Sequence, residues 1–269
     1  MGKISALIKE QYTENLKEHK LKLEELRKIE QELAIHARSD KEHAGMTKLK
    51  VAETNLNIVS YLVLMNGISV ALLGIKNDAF LNEARKTCYK AIINIEESVS
   101  NYIDVPFSEY EGLLEKIRDV NQVRRWALVR KLGFSIQAVK DGFGENTKWK
   151  WSFVEIEARF AIVAKNLLDL KTLMAGLDPR AQFYQERYAH LKLVKKLLQK
   201  SADGYREKYE LSTLRIDDFK LAINYLGSLR RLNALIGEPE EANELKKKID
   251  VWKQKMDQDI KKKESSAKA

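Results

Sequence analysis

Three residues near the end of the first helical segment have the spacing of a metal site. His36, Asp40 and His43 are four and three residues apart, so a helix would place them on one face. Imidazole and carboxylate groups are common zinc ligands. A ligand set also needs supporting hydrogen bonds, and the adjacent Lys41 and Glu42 are typical of a solvated helix end. We therefore favour the solvated helix end, and predict no metal site and no cofactor.

Other residue types that perform catalysis lack the neighbours they need. Cys88 has no histidine close by in the sequence and falls on the apolar face of a predicted helix, which is typical of a core cysteine. Gly142 and Gly144 lack the third glycine of a dinucleotide-binding loop, and no strand precedes them. No serine lies in a Gly-x-Ser-x-Gly pattern. The sequence thus predicts no catalytic or cofactor-binding residue, and we expect that the protein is not an enzyme.

The strongest chemical signal is a pair of local excesses of positive charge. The chain has 48 Lys and Arg against 39 Asp and Glu, a net charge of +9. Segments 116–131 and 187–200 each carry a charge of +5, so the rest of the chain is nearly neutral. The candidate contacts for an anionic partner are Arg118, Arg124, Arg125, Arg130 and Lys131 in the first segment, and Lys192, Lys195, Lys196 and Lys200 in the second.

Aromatic residues accompany both basic segments. Trp126 follows two arginines, and Tyr184 and Tyr188 flank Arg187. Cations beside aromatic rings are typical of surfaces that bind nucleic acid or anionic lipid headgroups. The alternative is the solvated side of ordinary amphipathic helices, since no nucleic-acid-binding module is recognisable.

Helices must position these residues. Strong helix formers dominate, only 3 prolines and 12 glycines occur, and no segment shows sustained strand alternation. We predict an all-α fold of about nine or ten helices in antiparallel hairpins, either repeat-like or as an irregular bundle. The absence of Gly and Pro from Lys3 to Ala44 and apolar residues every three or four positions predict a long amphipathic N-terminal helix, which Gly45 ends.

The helices are expected to form one domain over residues 1–259. Asp104, Val105 and Pro106 break the pattern, which suggests a subdivision near 104–107. The last residues, 260–269, are rich in lysine and poor in apolar side chains. We predict that they form a disordered tail.

Residues 54–75 contain no Asp, Glu, Lys or Arg. This length meets the requirement for a membrane span over residues 56–75. Asn55, Asn57 and Asn66 are unfavourable in lipid, and the amphipathic neighbours need an apolar helix as their core. We favour a buried helix over a span. Ser60, Gly67 and Gly74 form a stripe of small residues that would allow a neighbouring helix to approach closely.

Two stretches of the chain have similar patterns. One contains Tyr61-Leu62, then Gly74-Ile75, then Glu83-Ala84; the other contains Tyr225-Leu226, then Gly237-Glu238, then Glu241-Ala242. This pattern resembles tetratricopeptide-type helical hairpins. The turn before Glu83 is about five residues longer than that family's turn, and Arg230 stands where a small residue is expected. The resemblance implies an α-solenoid-like surface that binds peptides or other proteins; an irregular helical bundle is the alternative.

These observations favour a non-enzymatic helical scaffold or adaptor that binds protein partners, with no small-molecule substrate. An alternative is a binder of nucleic acid or membrane headgroups through the two basic segments, and a third is a protein anchored by a single span. The single cysteine and the charged residues Lys9 and Glu10, which interrupt any signal peptide, favour a cytoplasmic location, with membrane association as the alternative.

Overall fold

A computed structural model describes residues 5–145 and 147–268 of the chain. Over these residues the fold is all-α, as the sequence predicts, with nine α-helices and no strand. The helices are α1 Ala6–Ser39, α2 Ala44–Leu73, α3 Asp78–Val99, α4 Glu111–Glu115, α5 Gln122–Phe143, α6 Lys150–Asn166, α7 Tyr184–Lys208, α8 Ile216–Leu235 and α9 Pro239–Lys268. Two short 3₁₀ turns, Phe107–Glu109 and Ala175–Leu177, and a π-helical turn, Tyr209–Thr213, complete the elements.

The long N-terminal helix is confirmed, but its end differs from the prediction. The Ser5 hydroxyl accepts a hydrogen bond from the Ile8 amide and caps the start of α1. The helix stops at Ser39, where Asp40 turns the chain and its carboxylate accepts from the His43 amide at 3.2 Å. Gly45 therefore lies in the first turn of α2 and does not end α1. A Cβ atom there would lie 3.1 Å from Ile117, so glycine permits close packing at this point.

The chain folds into two compact units. Unit 1 comprises the described residues up to Ser100 together with Gly112–Lys150, and unit 2 comprises Asn101–Glu111 and the described residues from Trp151 onward. This differs from the expected single domain with a subdivision near 104–107. The short 101–111 segment belongs to unit 2 because Asp104 accepts a hydrogen bond from Arg231 of α8 at 2.8 Å, a partner 127 residues away that spacing could not reveal.

The central element of unit 1 is α2, which packs against α1, α3 and α5. Leu56, Leu62 and Met65 of α2 are fully buried. The turn into α3 uses Gly74 in the left-handed conformation, φ 67°, where glycine has no Cβ penalty. Asn77 then caps α3 by accepting from the Phe80 amide. The apolar segment of the sequence thus forms the middle helix of this unit.

The central element of unit 2 is α8, which packs against α7 and α9. Its core is aromatic: Tyr209 stacks on Phe219 with ring centroids 4.8 Å apart, and Phe219 lies 5.9 Å from Trp252 of α9. Gly237, φ 79°, makes the turn between α8 and α9. The second hairpin therefore also turns at a left-handed glycine.

The predicted disordered tail is helical in the structure as far as Lys268, while residue 269 lies outside the described residues. Two contacts account for the extension. The Tyr209 hydroxyl donates to Asp259 at 2.8 Å, and the Lys263 ammonium donates to the Leu214 carbonyl oxygen. Composition alone does not show these anchors, because both partners come from the segment between α7 and α8.

Within the described chain, α2 is the one helix long and apolar enough to cross a membrane, and 39% of its most apolar stretch is buried. Three of its polar side chains form hydrogen bonds inside unit 1. Asn66 accepts from the Asn77 amide at 2.8 Å, the Ser69 hydroxyl lies 2.9 Å from the Tyr12 hydroxyl, and Asn57 accepts from Lys131. These bonds give Asn57, Asn66 and Ser69 of α2 a role in the folded unit.

Candidate functional site

The first basic segment lies in unit 1, from the end of α4 into α5. Arg125 is buried and donates to the Val120 carbonyl oxygen at 2.8 Å, so it holds the turn before α5 and does not face a partner. Lys131 is half-buried and donates to Asn57. Burial lowers the pKa of Lys131, and Glu53 partly offsets that effect. Arg118 and Arg124 are exposed.

Arg130 is the best-placed cation of this segment. It is exposed on α5, and its guanidinium lies 5.9 Å from the ring centroid of Trp126 and 5.8 Å from that of Phe134. The three residues are four apart, so they form a ladder along one face of the helix. Arginine and the large aromatics are the residue types that contribute most at protein interfaces.

The second basic segment lies on α7 in unit 2. Two of its lysines form ion pairs within the unit, Lys195 with Glu238 and Lys200 with Glu157. Lys192 and Lys196 are exposed on the same helix. The two predicted segments thus belong to different units, and in each of them part of the positive charge is already used within the fold.

The candidate metal residues are held by the turn between α1 and α2. The His43 ring nitrogen Nδ1 lies 3.0 Å from the Asp40 carboxylate, and His36 precedes them in the last turn of α1. The His43 amide hydrogen bond lowers the pKa of Asp40. Among the described residues, no group of three or more His, Cys, Asp or Glu side chains is arranged to hold a metal ion.

One face of α2 in unit 1 is apolar and exposed. Ser60, Leu64, Gly67 and Ala71, spaced three and four residues apart, all lie on the surface, and we call them the α2 ridge. Leu64 is 46% exposed. A Cβ atom built on Gly67 meets nothing within 4 Å, so the stripe of small residues is not packed against another helix of the described chain.

Grooves run along both sides of the α2 ridge. The α2/α5 groove, about 500 Å³, is lined on α2 by Val59, Ser60 and Val63 and on α5 by Ala127, Arg130, Lys131, Phe134, Ser135 and Ala138. The α1/α2 groove, about 590 Å³, lies between Leu64 and Leu21. Leu21 is 58% and Phe134 66% exposed. Large apolar side chains that stay exposed around a groove are typical of an interaction surface.

A cavity of about 340 Å³ lies in unit 2, among the 101–111 segment, α6 and α8. Its walls are mostly apolar, from Val105, Phe107, Leu170, Leu232 and Leu235, with polar groups from Tyr110, Lys165, Ser228 and Arg231. Arg231 and Leu235 are exposed, so the cavity opens along the last turns of α8. An apolar cavity with a few converging polar groups is the usual form of a small-molecule site.

Lys165 is a lysine in the core of unit 2. Its side chain is 4% exposed, and Nζ donates to the carbonyl oxygens of Ile103 at 2.8 Å and Tyr102 at 3.3 Å. No carboxylate of the described residues forms an ion pair with it. Burial lowers the pKa of Lys165 to about 8; the field of Asp104 raises it, and that of Arg231 lowers it further. The ammonium therefore stays largely charged at neutral pH inside an apolar wall.

Tyr110 presents the second polar group of the cavity. The residue is 1% exposed, and its hydroxyl has no hydrogen-bond partner in the described protein. The ring stacks edge-on against Phe107 at 5.2 Å and lies 5.3 Å from the Lys165 ammonium. Burial raises the pKa of the phenol well above its ordinary value. An unpaired buried hydroxyl costs about 1–3 kcal/mol of stability, so its position calls for a partner.

The sequence contains one signal for this cavity, although no motif marks it. Lys165 is the one charged residue in an otherwise apolar and neutral run from Phe160 to Leu168. Such a lysine is expected to be buried with a specific role. Tyr110 carried no comparable signal, because it stands in a polar turn between Glu109 and Glu111.

A family model for the TP0443 family matches residues 8–260. The chain belongs to the TP0443 family. The matched range takes in both units, including the α2/α5 groove of unit 1 and the residues around Lys165 in unit 2. No curated protein and no solved structure matches the chain.

Proposed function

We propose that the protein is a non-enzymatic helical adaptor, and that unit 1 binds an amphipathic helix of a protein partner in the α2/α5 groove. The observation that carries the proposal is the exposure of Phe134 beside an apolar groove. Burying a phenylalanine ring is worth roughly 1.5–3 kcal/mol, which a soluble protein rarely leaves unused on its surface next to other apolar groups.

The shape of the groove favours a helix as its occupant. Its walls are two helices of unit 1, and its lining includes small residues, Ser60 of α2 and Ala127 and Ala138 of α5. Small side chains let the backbone of a third helix approach closely. An amphipathic helix places its apolar stripe in such a groove through residues spaced three and four apart.

The charges around the groove favour an acidic partner. Arg130 and Lys131 are the charged residues of its lining, and both are basic. Arg130 is held over the rings of Trp126 and Phe134, so its guanidinium is positioned before a partner arrives. A helix with Glu or Asp beside its apolar stripe would pair with these cations at the edge of the contact.

Site-specific photo-crosslinking in the native cells tests this proposal. A benzoylphenylalanine at position 134 is expected to crosslink to a discrete protein through an acidic amphipathic segment. The same residue at Leu211, which is 70% exposed in unit 2, is the matched control and should give no such product. An Ala127→Glu substitution, at an exposed position in the lining of the α2/α5 groove, is expected to leave the fold intact and to reduce the crosslink at position 134.

Two other results would contradict the proposal. Crosslinks only to lipid, with co-sedimentation on phosphatidylglycerol vesicles, would make the exposed face a membrane contact. Crosslinks only to a second copy of this chain, with a dimer in light scattering, would make it a self-association surface. Under the proposal, the protein is cytoplasmic and α2 is the central helix of a soluble unit.

The helical-repeat relationship is part of this proposal. The α2–α3 and α8–α9 hairpins each turn at a glycine with positive φ, at the positions where the two similar sequence patterns align. Paired helices of this kind form the ligand-binding surfaces of tetratricopeptide-type proteins.

A second candidate function is binding of an anionic surface, nucleic acid or lipid headgroups. Arg118 and Arg124 in unit 1 and Lys192 and Lys196 in unit 2 are exposed and support it. The ion pairs of Lys195 and Lys200 and the buried position of Arg125 reduce the charge available. Binding to duplex DNA or anionic vesicles that falls steeply with salt, and is weakened by Arg124→Glu with Lys196→Glu, would support this alternative.

A further inference from the structure

Two polar groups of the unit 2 cavity, the Lys165 ammonium and the Tyr110 hydroxyl, have donor capacity that the described protein does not use. An ammonium carries three N–H donors, and Lys165 directs two of them to the carbonyl oxygens of Tyr102 and Ile103. The Tyr110 hydroxyl has no hydrogen-bond partner among the described residues. Both residues line the same cavity, so an acceptor bound in it lies beside the ammonium and the phenol.

The nearest acidic group is engaged elsewhere. Asp104 accepts from Arg231 Nε at 2.8 Å and packs so tightly against α8 that a Cβ atom on Gly227 would lie 2.5 Å from its carboxylate oxygen. Asp104 therefore neutralises Arg231 and forms no ion pair with Lys165. The buried ammonium retains a positive charge without a carboxylate in contact with it.

We propose that this cavity binds a small carboxylic acid with an apolar body, whose carboxylate accepts hydrogen bonds from the Lys165 ammonium and the Tyr110 hydroxyl. The apolar body would lie against Phe107, Leu170 and Leu232. A carboxylate supplies the negative charge that is missing beside the Lys165 ammonium. It also supplies the hydrogen-bond acceptor that is missing beside the Tyr110 hydroxyl. A phosphate would require more donors than one ammonium and one hydroxyl provide in an otherwise apolar wall.

The volume sets the size of the ligand. A cavity of about 340 Å³ lies at the lower end of the range for small-molecule sites, so it suits a medium-chain or aromatic acid and excludes a full-length phospholipid. The exposed Arg231 and Leu235 at the opening give the ligand a path from solvent.

Calorimetric titration of the full chain with three matched probes tests the proposal. Octanoate is expected to bind in the cavity, and 1-octanol, which has the same chain without the charge, at least about tenfold more weakly. Octylamine, whose charge is repelled by Lys165, should not bind. Equal affinity for octanoate and octanol, or no binding of octanoate, would overturn the proposal.

A single-atom change provides the sharper test. Tyr110→Phe removes only the hydroxyl, and because that hydroxyl has no hydrogen-bond partner in the part of the chain that the structure describes, the variant should fold as the natural protein does. We expect about a tenfold loss of octanoate affinity and no change for octanol. Tyr188→Phe, on the exposed face of α7, is the matched control. An unchanged octanoate affinity in Tyr110→Phe would show that the acid binds elsewhere.

Lys165→Met gives a second measurement with a larger expected effect. It removes the charge but also two hydrogen bonds to the 101–111 segment, so circular dichroism must first show a folded variant. A folded Lys165→Met protein should lose the preference for octanoate over octanol. If that preference persists, the proposal is wrong; if the variant does not fold, the Tyr110→Phe result decides.

Discussion

Both units of this protein are built from helices around one central helix, but they differ in which side chains they expose and which they bury. In unit 1 the central helix α2 leaves an apolar ridge and the ring of Phe134 at the surface. In unit 2 the central helix α8 helps to enclose a cavity in which Lys165 and Tyr110 are buried. An exposed apolar face suits a macromolecular partner, whereas enclosed polar groups suit a small ligand. Under the two proposals, each unit has a binding function of its own.

The largest effect is expected at the exposed face of unit 1. Phe134→Glu places a carboxylate in the groove and removes the ring, so we expect roughly a hundredfold loss of affinity for the crosslinked partner. Unfolding by urea should be nearly unchanged, because the side chain is 66% exposed. The affinity is measured by titration with the purified partner. A large loss of stability instead would show that Phe134 belongs to the core of unit 1.

Two glycines, one in each unit, allow the exposed face of unit 1 to be compared with the tight packing inside unit 2. Gly227→Ala places a methyl group against Asp104 in unit 2 and should destabilise that unit by about 1–3 kcal/mol. Gly67→Ala lies on the exposed α2 ridge of unit 1 with free space around it, and should stabilise that unit by about 0.5–1 kcal/mol. Native-state hydrogen exchange reads each unit separately. Equal effects of the two substitutions would remove the contrast.

Unit 1 also contains a buried polar side chain without a hydrogen-bond partner among the described residues. Asn55 of α2 is fully buried, and neither its amide nitrogen nor its oxygen has a partner in the described protein. Asn55→Leu keeps the number and branching of the side-chain heavy atoms and removes the unpaired groups, so we expect unit 1 to gain about 1–2 kcal/mol. Urea unfolding measures the gain. A loss of stability would show that Asn55 has a polar partner in solution.

The smallest effect is a pH dependence confined to unit 2. Lys165 has a pKa of about 8 in the folded chain and 10.5 in the unfolded chain, with Asp104 and Arg231 as the charged groups acting on it. Between these values the unfolded chain binds more protons, so stability rises with pH in that window. From pH 7 to pH 9 unit 2 should gain about 1 kcal/mol, a gain absent from Lys165→Met.

This measurement is urea unfolding at pH 7, 8 and 9, followed by pulsed hydrogen exchange to separate the units. It stops at pH 9 because the phenols of Tyr110 and Tyr209 have raised pKa values and would reduce stability above about pH 10. A flat profile for unit 2 would mean that water reaches Lys165 and that the cavity is more open than its burial indicates.

The long N-terminal helix, the buried residues of α2 and the turns at Gly74 and Gly237 were accessible from the sequence, because helix periodicity and glycine turns are local properties. The two units were not. The placement of the 101–111 segment depends on Asp104 meeting Arg231, and the helical extension of α9 depends on Tyr209 meeting Asp259. Such partners are far apart in the chain, and local patterns carry no information about them.

The candidate functional residues also divide into features that the sequence shows and features that only the tertiary structure shows. The basic residues were visible as a count of charge, but the count could not separate the exposed Arg124 from the buried Arg125 next to it. Lys165 was visible as a lysine in an apolar run, but the cavity and the unpaired Tyr110 beside it were not. By itself the sequence determined that the chain is helical and where its apolar residues fall. Only the tertiary structure decided which polar groups share a cavity, because burial and pairing arise from contacts between distant segments.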